Sequence, residues 1–113
     1  MAKYIHQNVW PWGRKDTIVL ADGRALCQVS ITDDDPFVAH LTDVVVYESA
    51  RGYGLGNDLL QAAIEQAREM GAVMLAAVVD SHDWTLEWLK RHGFVYGITY
   101  DDETAGLTFD LRK

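Results

Sequence analysis

The chain has 113 residues, of which 49% are hydrophobic and 24% charged, and it carries a formal net charge of −7. This length predicts one domain over residues 1–113, with a hydrophobic core of its own. The acidic balance argues against general nucleic-acid binding and against anionic membranes, and no apolar run approaches the roughly 20 residues that span a bilayer. A single cysteine, Cys27, excludes an internal disulfide and, with an amino terminus that lacks an apolar signal region, indicates a cytoplasmic protein.

The first half of the chain has the pattern of an antiparallel meander. Residues 24–32 alternate between apolar and polar side chains, which is typical of a half-buried strand and places Cys27 on its buried face. The dipeptide Asp22-Gly23 just before it is a strong hairpin signal. The continuous apolar run from Val44 to Val46 predicts a strand that is buried on both faces. We expect strands at 17–21, 24–32 and 37–47, and residues 4–10 have the composition of a further short strand.

The second half alternates helices and strands. An apolar stripe at helical spacing predicts a long helix that Gly71 ends. A short apolar strand follows, and the resulting strand–helix–strand unit predicts two parallel strands. In the next helix we expect Trp84, Trp88 and Leu89 on the buried side. The predicted helices lie at 54–70 and 80–91, and the predicted strands at 72–79, 94–100 and 104–111.

A turn punctuated by glycines joins the apolar strand to the long helix, with the sequence Arg51-Gly52-Tyr53-Gly54-Leu55-Gly56. Glycines allow the backbone to approach a ligand and to adopt angles that a Cβ atom forbids. A helix that starts just after them presents unpaired N–H groups and the positive end of its dipole, which together bind phosphate. No Gly-Lys-Ser or Gly-Lys-Thr follows, which excludes a Walker loop, and the glycine spacing fits the dinucleotide fingerprint poorly.

In this context the turn resembles the acyl-CoA-binding motif of the GNAT N-acetyltransferase superfamily, Arg/Gln-x-x-Gly-x-Gly/Ala. A second similarity lies at the end of the second helix, where His92-Gly93-Phe94 follows Trp88 at the family's aromatic position. The resemblance covers about residues 16–111. It implies a GNAT-like fold, which agrees with the fold class that the elements themselves predict: α/β, a mixed, mostly antiparallel sheet with a central parallel βαβ unit.

The sequence departs from the family pattern at three places. Leu89 stands where a tyrosine commonly serves as general acid toward the coenzyme sulfur, and His82 stands where an asparagine is usual. Only about fifteen residues precede Thr17, so the part of the family fold that forms the acceptor wall is expected to be truncated. The acceptor site would then be open, or completed by a second subunit in a homodimer.

The resemblance implies an acetyl-CoA-dependent N-acetyltransferase, in which a primary amine attacks the thioester directly. The amine belongs to a small molecule or a peptide, acetyl-CoA is the co-substrate, and no metal is expected because the His and Cys residues lack metal-site spacing. The candidates for acid or base are His40, Asp43 and His82. The residues expected to hold the coenzyme are Val44, Val45, Val46, Arg51, Gly52, Tyr53, Gly54, Leu55 and Gly56.

Two other interpretations stay open from the sequence. The leucine at the tyrosine position and the short amino-terminal region also suit a non-catalytic GNAT-like module that binds coenzyme A or another protein. The glycine turn alone would also suit a domain that binds nucleotide phosphates.

Overall fold

The computed structural model describes residues 3–47, 54–99 and 103–112. These residues form seven strands and two helices. Their bounds are β1 (Lys3–Trp10), β2 (Gly13–Leu20), β3 (Ala25–Thr32), β4 (Asp35–Val46), α1 (Leu55–Glu69), β5 (Met74–Asp80), α2 (Trp84–Arg91), β6 (Val95–Thr99) and β7 (Thr104–Asp110).

All seven strands belong to one sheet, in the order β1-β2-β3-β4-β5-β7-β6. Strands β4 and β5 run parallel because α1 connects them as a crossover, and the other neighbouring pairs are antiparallel. The predicted mixed sheet with a central βαβ unit is therefore confirmed. Residues 4–10, which the sequence predicts as a short strand, belong to an eight-residue strand that pairs with β2 along its whole length.

The two helices cover one face of the sheet. The buried side of α1 is made of its apolar stripe, Leu55, Leu59, Leu60, Ala62, Ala63, Ile64 and Ala67. This stripe packs on alternate residues of the strands beneath it, among them Ile18, Cys27 and Leu75, which have no exposed surface. Trp88 of α2 packs against the first turn of α1, so the helices also contact each other. No helix in the described ranges is long and apolar enough to cross a membrane.

A buried charged group ties α1 to β2. Asp16 has no exposed surface and accepts hydrogen bonds from Arg14 Nη2 at 2.7 Å and Arg14 Nε at 3.0 Å. Gln66 of α1 donates a further hydrogen bond to the same carboxylate, at 2.5 Å. The hydrogen bond to Asp16 raises the pKa of Arg14. A buried carboxylate needs such partners, and here they fix the helix to the sheet.

Two predicted burial patterns are wrong. Val45 is 36% exposed although it belongs to the apolar run of β4, because the helices cover only one face and Val45 points to the other. Trp84 is 39% exposed because it is the first residue of α2 and only part of its ring lies against Trp88, at a centroid distance of 5.2 Å.

The Asp22-Gly23 hairpin is present, but Leu20 and Ala25 close a loop of four residues instead of two.

Candidate active site

The central feature of the site is the separation of the two parallel strands. Residues Val38–Leu41 of β4 pair with Met74–Ala77 of β5, and the pairing ends there. Beyond that point β4 stays with β3 as far as Val46, while β5 stays with β7 as far as Asp80. The two strands therefore diverge and leave a gap in the middle of the sheet.

A β-bulge bends β4 at the start of this gap. Thr42 pairs with Gln28 and Val45 pairs with Leu26, so Cys27 alone stands opposite both Asp43 and Val44. Asp43 adopts a φ of 53°, in the left-handed region that aspartate tolerates better than most residues. A bulge of this kind turns the strand and redirects its side chains, which is why bulges occur next to active sites.

The gap between β4 and β5 forms a cavity of about 220 Å³. Its inner wall is apolar, formed by side chains such as Leu41, Ala77 and the fully buried Leu89. Its mouth is polar and acidic. The polar lining residues are Thr42, Asp43, Asp80, Asp83 and Thr85.

The three carboxylates of the cavity differ in their local bonding. Asp80 Oδ1 accepts a hydrogen bond of 2.8 Å from the backbone N–H of His82, and Asp83 Oδ2 accepts one of 2.7 Å from the Thr85 hydroxyl. Across residues 3–47, 54–99 and 103–112, no side-chain hydrogen bond engages Asp43. Asp43 is therefore the carboxylate of this cavity that local structure leaves accessible to another molecule.

The start of α1 shows two different uses of glycine. Gly54 precedes the helix with a φ of 78°, so a residue with a side chain would be strained there. Gly56 lies inside the first turn, and a Cβ atom on it would stand 3.2 Å from Trp88 Nε1. A side chain at the third glycine of the motif would therefore press on the indole ring of Trp88 in α2. Arg51, Gly52 and Tyr53 lie outside the described residues.

The predicted acid–base candidates occupy three different places. Asp43 lines the cavity. His40 stands in the closed part of the sheet, opposite Ser30 and Ala76, and is absent from the cavity lining. His82 is exposed in the turn before α2 and is also absent from the lining. Their catalytic roles stay predictions.

The coenzyme candidates of β4 are divided by the alternation of the strand. Val44 lines the cavity, Val45 faces the uncovered side of the sheet, and Val46 is buried in the core. Any contact of these three residues with a ligand would use their backbone as well as the side chain of Val44. Gly54 and Leu55 begin α1 directly after the loop that follows β4.

Of the described residues that line the cavity, sequence reasoning named Asp43 and Val44 and missed the others, among them Asp80, Asp83, Thr85 and Leu89. Asp83 directly precedes α2 but makes no side-chain capping hydrogen bond to it, and its carboxylate accepts from the Thr85 hydroxyl instead. The sequence does contain a signal for Asp80 and Asp83. They lie at the carboxyl end of a strand in a βαβ unit, where ligands bind in open α/β sheets. Leu89, at the position of the family's tyrosine, does face the cavity, but its side chain has no proton to give.

Cys27 is a core residue. It has no exposed surface, and burial raises the pKa of its thiol to about 12. A thiol that stays protonated at neutral pH is a poor nucleophile. No set of three metal-ligating side chains converges within the described part of the chain, and the expectation that the protein needs no metal stays a prediction.

Comparison with known proteins agrees with this geometry. The sequence model of the acetyltransferase (GNAT) family matches residues 5–94, whereas no curated protein sequence matches the chain significantly. A proposed acyl-CoA N-acyltransferase from Klebsiella pneumoniae superposes with a TM-score of 0.77 at 16% identity, over 92% of this chain and 77% of that one.

Two further solved structures share the fold. A proposed GNAT-family acetyltransferase from Desulfovibrio desulfuricans has a TM-score of 0.77 at 13% identity and covers 97% of this chain and 99% of its own. A proposed acetyltransferase from Salmonella typhimurium, solved with its cofactor acetyl-CoA, has a TM-score of 0.67 at 18% identity, over 88% of this chain and 65% of that one. The family match extends over most of the chain and the fold agrees with it, so the protein belongs to the acetyltransferase (GNAT) family.

Proposed function

We propose that the protein transfers an acetyl group from acetyl-CoA to a primary amine, and that residues 1–113 act as one domain in doing so. The observation that carries this proposal is the gap between β4 and β5, which residues of α2 also line and which holds an accessible carboxylate. Family membership supports acyl transfer in general. The amine acceptor and the roles of the residues are our proposal.

The residues around the gap suit acetyl-CoA. Its apolar wall, including Leu41, Ala77 and Leu89, would accept the methylene groups of the pantetheine arm. The backbone of Val44–Val46 would pair with the arm, and the amides of Gly54–Gly56, with Arg51-Gly52-Tyr53, would hold the pyrophosphate. When bound, acetyl-CoA supplies an acyl group activated as a thioester. A backbone N–H of Val45 or Val46 would polarise its carbonyl.

Asp43 is the proposed general base. It lines the cavity at the bulge, and its carboxylate has no hydrogen-bond partner of its own among the residues that the structure describes. A base must lie within hydrogen-bond reach of the proton that it removes, directly or through one water. An amine placed in the gap would lie beside Asp43, which lines the cavity, whereas His40 and His82 lie outside the cavity lining.

The acceptor that fits this mouth is a cationic amine. Asp43, Asp80 and Asp83 all line one cavity, on a chain whose formal net charge is −7. A cleft lined by charge of one sign concentrates ligands of the opposite sign and raises their association rate. The proposal therefore predicts faster acetylation of amines that carry a second positive charge than of neutral or acidic ones.

The proton for the departing sulfur has no side-chain source at Leu89. In this proposal solvent supplies the proton to the sulfur of coenzyme A. We also propose that the reaction takes place in the cytoplasm, where a free thiol such as Cys27 stays reduced.

Leu89 is also the observation that favours a second function, a GNAT-like module that binds coenzyme A or a partner protein without catalysis. One experiment separates the two. The protein is incubated with acetyl-CoA and a panel of mono-, di- and polyamines, amino acids and peptides, and free coenzyme A is measured with a thiol reagent. Release that depends on the amine supports transfer. Binding of acetyl-CoA without release against the whole panel supports the module.

A further inference from the structure

The first strand forms an open edge of the sheet. In the described residues, β1 pairs with β2 on one side, and no element pairs with its other side. It is eight residues long, and six of its side chains are exposed, including Tyr4 at 63% and Val9 at 68%. Such an edge is a template for another strand, and proteins usually protect it with a proline, a bulge, an inward charge or a short length.

β1 has none of these protections. Its register with β2 runs without a shift from Lys3 to Trp10. It contains no proline, and its one formal charge, Lys3, stands at its beginning. The opposite edge of the sheet differs, because β6 has only five residues and its pairing with β7 contains a register shift. The two edges are therefore not equivalent, and β1 is the one suited to a partner strand.

The two-residue connection to β2 defines which groups of β1 point outward. A hairpin with a two-residue loop closes on a hydrogen-bonded pair, here Trp10 and Gly13. Hydrogen-bonded pairs recur at every second residue of an antiparallel ladder, so the even-numbered residues of β1 bond to β2. Ile5, Gln7 and Val9 therefore present their N–H and C=O groups at the open edge.

We propose that a second copy of this chain pairs with that edge, with β1 antiparallel to the partner's β1 and Gln7 on the two-fold axis. A two-fold axis perpendicular to the sheet places the same face of both copies on the same side of the joined sheet. Because side chains alternate between the two faces, odd-numbered residues of one β1 then lie opposite odd-numbered residues of the other, and even-numbered residues opposite even-numbered ones. Centring the pair on Gln7 brings Ile5 opposite Val9, His6 opposite Asn8 and Tyr4 opposite Trp10. Aromatic pairs and β-branched pairs of this kind stabilise neighbouring strands.

The distribution of charge favours a second copy at this surface. All 17 acidic residues of the chain lie from Asp16 onward, so none belongs to β1. Two copies with a net charge of −7 repel each other over most of their surface. The edge of β1 contributes no carboxylate of its own to such an interface, and Glu65 of α1, beside it, is paired with Lys3 Nζ at 3.9 Å. The resulting dimer has one continuous sheet, and both cavities stay open because β4 and β5 lie three and four positions away from the edge.

Sedimentation equilibrium tests the association. The interface is one pair of strands, which is small, so we expect a weak dimer with a dissociation constant of about 10 to 100 μM. The average mass should rise from 12.7 kDa toward twice that value as the concentration increases through this range. Gln7→Lys, which places two like charges on the axis, should keep the protein monomeric. Val95→Lys, at an exposed position of β6 on the opposite edge of the sheet, adds the same charge away from β1 and should still dimerise.

Cysteine cross-linking tests the register. The two Gln7 Cα atoms would be about 5.5 Å apart, within the range of a disulfide, whereas two Asn8 Cα atoms would be about 8 Å apart, outside it. Under mild oxidation Gln7→Cys should form a covalent dimer, and Asn8→Cys should not. Cys27 is buried and does not compete. A protein that stays monomeric at several hundred micromolar, or a dimer that cross-links equally at both positions or at neither, would overturn the proposal.

Discussion

A Cβ atom placed on Gly56 would lie 3.2 Å from Nε1 of Trp88, so the indole ring of α2 packs directly against the first turn of α1. Trp88 is only 5% exposed and also contacts the rings of Trp84 and His92. The indole has little freedom to move away. This contact joins the helix that would bind the coenzyme pyrophosphate to the helix that supplies Thr85 and Leu89 to the cavity.

Gly56→Ala should therefore destabilise the protein in spite of alanine's better helix propensity. The propensity gain is about 1 kcal/mol, and overpacking of a closed site costs roughly 1 to 3 kcal/mol, so we expect a net loss of about 1 kcal/mol in the free energy of unfolding. Urea denaturation measures it, and tryptophan fluorescence of the folded variant should change as Trp88 moves. Asn57→Ala, at the neighbouring exposed position, is the control and should leave both unchanged.

Asp43→Asn tests the proposed base. Asparagine also tolerates a positive φ, so the bulge should persist and the fold should be retained. General-base catalysis contributes about 10²- to 10⁴-fold, and we expect kcat to fall by at least 100-fold while acetyl-CoA still binds. His40→Asn and His82→Asn test the other two candidates and should change kcat by less than about threefold. Full activity of Asp43→Asn, or a large loss in either histidine variant, would transfer the role elsewhere.

Leu89→Tyr tests the missing proton donor. The leucine lines the cavity, so a tyrosine there would place a hydroxyl beside the reacting groups. If transfer of the proton to sulfur limits the reaction, kcat should rise by about 10-fold or more, with a loss of roughly 1 to 3 kcal/mol in stability from overpacking. Leu89→Phe is the control, because phenylalanine has nearly the volume of tyrosine but no hydroxyl group. Equal rates for the tyrosine and phenylalanine variants would show that a donor at this position has no effect.

The pH dependence of stability should carry a contribution from Cys27. Burial raises the pKa of its thiol from the ordinary 9.0 to about 12. The unfolded chain therefore loses this proton near pH 9, while the folded protein keeps it until about pH 12. The contribution to stability is complete below pH 9 and decreases above it, by up to about 1.4 kcal/mol for each pH unit.

Urea denaturation of the natural protein and of Cys27→Ala, at pH 8, 9, 10 and 10.5, measures this contribution. The free energy of unfolding of the natural protein should fall relative to that of Cys27→Ala as the pH rises above 9. Other groups that titrate in this range are common to both proteins and cancel in the comparison. A difference that does not change with pH would mean that the thiol is accessible to solvent in the folded state.

The local pattern of the chain predicted most of its secondary structure. Alternation identified β3, helical spacing identified α1, and Gly71, with a φ of 88°, follows the end of that helix as expected. These features depend on neighbouring residues along the chain. The order strand, helix, strand was then enough to predict the parallel pair of β4 and β5.

The cavity depended on features that the local pattern does not contain. Nothing in the apolar run that begins at Val44 reveals that Cys27 opposes two residues of β4, because a bulge is a property of the pairing. The role of Gly56 likewise depends on Trp88, from another helix. For the same reason the place of Asp80 and Asp83 in the cavity emerged only from the fold.

Thermal unfolding with and without acetyl-CoA tests most directly whether the gap between β4 and β5 is an acyl-CoA site. A ligand at 100 times its dissociation constant stabilises the folded protein by about 2.7 kcal/mol. For a domain of this size that corresponds to a rise of about 10 °C in Tm. We predict such a rise with millimolar acetyl-CoA, and a much smaller one in Gly54→Val, which strains the start of α1. An unchanged melting curve of the natural protein at millimolar acetyl-CoA would contradict the proposed function.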